Sequence, residues 1–81
     1  MKIKVRVKEK KEETVKINTE FIRLDALLKF ENLVMSGGEA KAVIQDEMVK
    51  YNGEICTMRG KKVYPGDTVE FAGRKMKVVG E

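Results

Sequence analysis

Two short strings hold most of the side chains able to do chemistry. Ser36-Gly37-Gly38-Glu39-Ala40-Lys41 joins the chain's one serine to two glycines and a lysine, and Arg59-Gly60-Lys61-Lys62 sets three cations within four residues. The chemistry both suit is anion binding. Ser-x-x-Glu is a capping box: the Ser36 hydroxyl accepts from the Glu39 backbone N–H, and Glu39 reaches back to the Ser36 N–H. Capping accounts for Ser36 and Glu39 but not for Gly37 and Gly38, since glycine costs a helix interior about 1 kcal/mol. Glycines there let another backbone approach, and with Lys41 one turn in, the helix N-terminus offers a phosphate free N–H groups. The spacing is not that of a Walker loop. Arg59-Gly60-Lys61-Lys62 is either a solvated turn or a set of phosphate contacts, and the residues alone leave both open.

Catalysis finds little support. The chain has no histidine, the commonest general base. Asp25, Asp46, Asp67 and the glutamates are scattered without motif spacing, so an enzyme is not expected. Cys56 is the one cysteine, which excludes an internal disulfide and leaves no Cys/His metal spacing; it reads as a packing residue. No cofactor and no metal are expected. A lone thiol, no apolar run near the roughly 20 residues of a membrane span, and a Lys-rich N-terminus without a signal-peptide block together read as cytoplasmic.

The formal net charge is +4 with a pI near 9.3, a mild bias toward a polyanionic partner. The excess is local. Residues 1–18 hold seven Lys/Arg against three Glu, whereas residues 19–81 hold ten basic and ten acidic residues.

These residues need elements to place them. Ile3, Val5 and Val7 alternate with Lys2, Lys4, Arg6 and Lys8, and Thr14 to Ile17 alternates again after a polar turn at Glu9–Glu13. Period two predicts an N-terminal β-hairpin over 2–18. Its lysine row is either a solvated, aggregation-resistant face or a nucleic-acid contact. Phe21, Leu24, Leu27 and Leu28 recur at helical spacing and predict a helix over about 22–31, with Arg23 and Lys29 off the apolar stripe and exposed. Ala40, Val43 and Ile44 predict a second helix over about 37–47. Asn52-Gly53 predicts a tight hairpin between Met48–Tyr51 and Glu54–Cys56. Thr57 to Lys62 reads as a loop, Pro65-Gly66-Asp67 as a turn, and Thr68–Phe71 with Lys75–Val79 as a closing hairpin. Tyr51 and Tyr64 read as core or rim residues. The order ββ-αα-ββββ is an α+β domain spanning 1–81.

The run Leu27-Leu28-Lys29, Leu33-Val34 and Ser36-Gly37-Gly38-Glu39-Ala40-Lys41, followed by Asn52-Gly53-Glu54, Arg59-Gly60-Lys61-Lys62 and Gly66-Asp67, resembles the S4-like RNA-binding domain, in particular its small free-standing YaaA/YbcJ-type subgroup. Arg23-Leu24-Asp25 is similar to the Arg-Leu-Asp that opens the first helix in the wider family. The resemblance implies an αL-type motif, two helices packed on a small antiparallel sheet, as a core over 22–79. It also implies binding of structured RNA, rRNA or tRNA, with the ribosome or another protein as a further partner. Carried over by position, Arg23, Lys29, Ser36, Gly37, Gly38, Lys41, Arg59, Lys61 and Lys62 would form the RNA-binding surface. Three departures stand out. Asp46-Glu47 occupies the end of the second helix, where the subgroup usually has Gly. Met58 stands where a second Arg is common. The hairpin over 2–18 lies outside the signature. The zero net charge of residues 19–81 supports a rival reading, a protein-interaction module of the translation or replication machinery that docks by strand addition at the N-terminal hairpin.

Overall fold

The computed structural model describes residues 12–81. Alternation over Glu12–Ile17 makes β1, with Val15 and Ile17 buried. A two-residue strand, β2 (Ile22–Arg23), leads into α1 (Leu24–Phe30), and the apolar connection at Leu33-Val34 leads to α2 (Gly37–Gln45). Short strands follow: β3 (Lys50–Tyr51), β4 (Glu54–Ile55) and β5 (Lys62–Val63), then β6 (Thr68–Phe71) and β7 (Arg74–Gly80).

β1, β3, β4, β6 and β7 build a five-stranded sheet in the order β1-β7-β6-β3-β4, and β2 and β5 make a separate antiparallel pair. The large sheet is mixed and not purely antiparallel as the sequence reading expected. β1 runs parallel to β7, with Val15 opposite Val78. Parallel neighbours need a long crossover, and here everything between the two strands provides it. The expected hairpin over 2–18 falls mostly on residues 1–11, outside the described residues. Within the described part, Glu12 and Glu13 belong to β1 and not to a turn. Arg74 of β7 reaches across to Glu13 and to Glu31, where Nη2 lies 3.3 Å from Oε1.

One buried cluster joins the layers: Leu24, Leu27 and Leu28 from α1, Ala40 and Ile44 from α2, and Val15, Val69, Met76 and Val78 from the sheet. The leucine stripe thus faces the helix partner and the sheet, as its spacing requires.

Both helices stop by the same device. Leu33 N–H bonds to the Leu28 carbonyl at 2.9 Å and Met48 N–H to that of Val43 at 3.1 Å, the long bond of a Schellman cap. The residue in the left-handed conformation is Asn32 (φ 59°) after α1 and Glu47 (φ 64°) after α2. Glutamate is a strained choice there, by roughly 1–2 kcal/mol relative to a right-handed conformation. The missing glycine at Asp46-Glu47 therefore changes the cost of the cap and not its geometry. α2 ends two residues earlier than the periodicity predicts because this cap consumes Asp46 and Glu47.

Candidate nucleic-acid interface

Arg23 occupies the N-cap position of α1 but makes no side-chain cap there. The first-turn N–H groups must find partners elsewhere. They find the basic loop: Leu24 N–H bonds to the Lys61 carbonyl at 2.9 Å and Asp25 N–H to that of Arg59 at 3.1 Å. The β2–β5 ladder continues the seam, pairing Arg23 with Lys62 and Ile22 with Val63. The Arg23 guanidinium lies against Gly60, where an added Cβ would stand 3.6 Å from Nη2. Arg23, Arg59, Lys61 and Lys62, separated by up to about forty residues of chain, thus form one unit. The sequence reading placed Arg23 and Ile22 in the helix and Lys62 in a loop; their mutual ladder makes all three strand residues.

Two aromatic rings fix the lysines of that unit. The Lys61 ammonium sits 4.8 Å from the Tyr51 ring centre and that of Lys62 sits 5.0 Å from the Phe21 ring centre. Each contact is worth about 0.5–1 kcal/mol at an exposed site. Phe21 in turn packs on Tyr64, with ring centres 5.7 Å apart. Tyr51 is held from behind by Asp67, whose carboxylate accepts from the Tyr51 hydroxyl at 2.5 Å, the Tyr64 N–H at 2.9 Å and Asn52 Nδ2 at 3.2 Å. Tyr51 and Tyr64 read as core or rim residues from the sequence: Tyr51 packs against the core and Tyr64 is exposed, and their part in supporting cations is not legible there. The Pro65-Gly66-Asp67 turn was the available signal, since an Asp there can bond back to its own turn.

The Tyr51–Asp67 bond has a titration signature. The hydrogen bond to Asp67, then burial, push the Tyr51 phenol up from 10.0 to about 12. Burial alone would raise the Asp67 carboxyl; the hydrogen bonds from Tyr51, Tyr64 and Asn52 and the charge of Lys61 outweigh it and leave the carboxyl below its usual value. A raised phenol contributes stability that is complete below the unfolded value and is lost as pH climbs toward 12. The lowered carboxyl contributes stability that is lost as pH falls through its folded value. In an ultraviolet pH titration, one tyrosine should ionise only near pH 12, and Asp67→Asn should bring it back toward 10. Identical curves for the two proteins would refute the coupling.

At the start of α2 the capping box forms with one change. The Ser36 hydroxyl accepts from the Glu39 N–H at 3.2 Å, but Glu39 Oε1 accepts from Met35 N–H at 2.8 Å and not from Ser36. The Ser36 carbonyl already receives Ala40 N–H at 3.0 Å as the first helical bond. Among the described residues, and setting aside the chain neighbours and the helix's own backbone, no atom comes within 4 Å of where a Cβ at Gly37 would lie, and a Cβ at Gly38 would meet the Ser36 hydroxyl at 3.8 Å. Packing among the described residues therefore does not require either glycine. Lys41 is exposed one turn further along.

Arg23, Lys29 and Gly37 meet across a groove of about 540 Å³ between α1 and the start of α2, lined also by Asp25, Ala26 and Phe30. Asp25 pairs with Arg23 at 3.1 Å. Lys41, Ser36 and the Arg59–Lys62 loop lie outside that lining. Phe30 lies off the leucine stripe, so helical spacing alone assigns it no role. Cys56 is half-buried against the core, its thiol 3.8 Å from the Met58 carbonyl, in keeping with a packing role. No helix among the described residues is long and apolar enough to cross a membrane.

Comparison with known proteins places this arrangement. RlbA of Bacillus subtilis (strain 168), named for ribosome maturation, is 41% identical over 59 residues, covering 73% of this chain and 83% of that protein. YbcJ of Escherichia coli (strain K12), named as RNA-binding, is 40% identical over 58 residues, covering 72% of this chain and 83% of its own. The solution structure of E. coli YbcJ, described as revealing an αL motif involved in RNA binding, superposes with a TM-score of 0.60 at 31% identity, over 96% of this chain and 98% of that one. The family model of the S4 domain matches residues 15–79. A match that runs from the middle of β1 through both helices and the basic loop into β7 makes this chain a member of the S4 domain family.

Proposed function

We propose that the chain is a non-catalytic binding module for structured RNA, acting in the cytoplasm on rRNA or tRNA and within reach of the ribosome. The observation that carries this reading is the seam between the basic loop and α1, in a chain whose relatives are named for RNA binding and ribosome maturation. Arg59, Lys61 and Lys62 ride on backbone that is bonded to the first helix, so their charges keep a fixed relation to Arg23 and Lys29. Fixed cations suit phosphate positioning on a folded RNA surface, where recognition works by shape more than by base edge. Ser36, Gly37, Gly38 and Lys41 would add a second phosphate contact at the open start of α2.

The test is a fluorescence-anisotropy titration against hairpin, duplex and single-stranded RNA at several salt concentrations. Hairpin RNA should bind more tightly than single strands. With about four phosphates engaged, affinity should fall roughly a hundredfold between about 50 and 200 mM salt. In the same assay Gly37→Ala separates two roles of the glycine. It should leave the fold intact or stabilise it by up to about 1 kcal/mol, because the site is sterically open. It should nonetheless weaken binding, because its Cβ occupies the space an RNA backbone needs. Weak binding, equal for all three RNAs, would refute the proposal.

A further inference from the structure

The groove between α1 and the start of α2 has a composition that backbone recognition does not need. Phosphate contacts call for cations and N–H donors. Here Arg23, paired with Asp25 at 3.1 Å, and Lys29 supply the cations, but Ala26 and Phe30 add an apolar wall between them. Phe30 is 59% exposed at the last position of α1 and contributes little to the core. Phe30 also lines a second depression of about 300 Å³, together with Lys16, Ile17, Asn18, Thr19, Ile22 and Glu81, so it stands as a ridge between two hollows. The larger groove, about 540 Å³, falls within the size range of small-ligand sites.

Resting on the RNA-binding reading above, we propose that this groove receives one unpaired base of a structured RNA, a bulged or looped-out nucleotide stacked on Phe30. Charge complementarity names the occupant: the base meets the aromatic ring, and its flanking phosphates meet Arg23 and Lys29. Unstacked bases in loops and bulges are the parts of folded RNA that aromatic side chains read. The domain would then find its target by shape and confirm it by one extruded base.

Two RNA hairpins, identical except for a single bulged nucleotide in the stem, provide the test, with affinities from fluorescence anisotropy. The wild-type protein should bind the bulged hairpin roughly tenfold more tightly, in line with the loss on removing one base–aromatic stack. Phe30→Ala should erase that preference while leaving affinity for the perfect hairpin within about twofold, and Phe30→Tyr should keep most of it. Circular dichroism should show both variants folded, since the ring is largely exposed. Equal wild-type affinities for the two hairpins, or an equal loss for both in Phe30→Ala, would overturn the inference and leave the RNA-binding reading standing. No binding to either hairpin at low salt would overturn both.

Discussion

Reversing the charge at Lys41 and Lys62 together should lower affinity for a structured RNA by at least about two orders of magnitude at low salt, with no loss of fold. Charge-assisted hydrogen bonds contribute about 1.5–3 kcal/mol each, and reversal adds repulsion to the loss. Both side chains are exposed, and neither takes part in the core. Lys62 gives up its contact with the Phe21 ring, a cost of about 1 kcal/mol at most. The two residues sit on different parts of the proposed surface, Lys41 on α2 and Lys62 on β5, so their effects should be close to additive. The loss should be similar for all structured RNAs, because phosphates carry no sequence, and the salt dependence should flatten by about one unit of slope per lysine. Unchanged affinity in the double variant, with an unchanged melting temperature, would remove this surface from consideration.

Leu28→Ala should destabilise the domain by about 2–5 kcal/mol and lower its melting temperature by roughly 10–30 °C. Leu28 is fully buried, in one cluster with its α1 neighbours Leu24 and Leu27 and with the sheet residues. A domain of this size has only about 5–10 kcal/mol to lose, so this one truncation should bring it near the edge of folding. The effect on RNA binding should follow from the unfolded fraction alone. Met35→Ala is the matching control: at 90% exposure it should change stability by no more than about 0.5 kcal/mol. Urea denaturation measures both. A cost below about 1 kcal/mol for Leu28→Ala would show that α1 does not anchor the core as described.

Elements with strong side-chain periodicity were legible from the residues without the fold. The leucine stripe of α1, the apolar face of α2 with its Ser36 cap, and the alternation in β1, β6 and β7 were readable because each depends on neighbours within a few residues. Asn52-Gly53 marked its hairpin for the same reason: Asn52 (φ 51°) and Gly53 (φ 91°) adopt the positive φ that those residue types tolerate best. The string from Ser36 to Lys41 was distinctive enough to point to the family, and with it the αL arrangement of two helices on a sheet.

Features that depend on distant pairing were not legible in any local pattern. No local pattern shows that β1 runs parallel to β7, since a strand's alternation is the same whichever direction its partner runs. Ile22 and Arg23 extend the helical spacing, yet their ladder with Lys62 and Val63 draws them into a strand. The basic loop at Arg59–Lys62 looked like an independent turn because its role lies in carbonyl groups, which every residue has and no sequence pattern reports. Only the fold brings those carbonyls to the unpaired N–H groups at the start of α1, and in doing so it converts scattered cations into one surface.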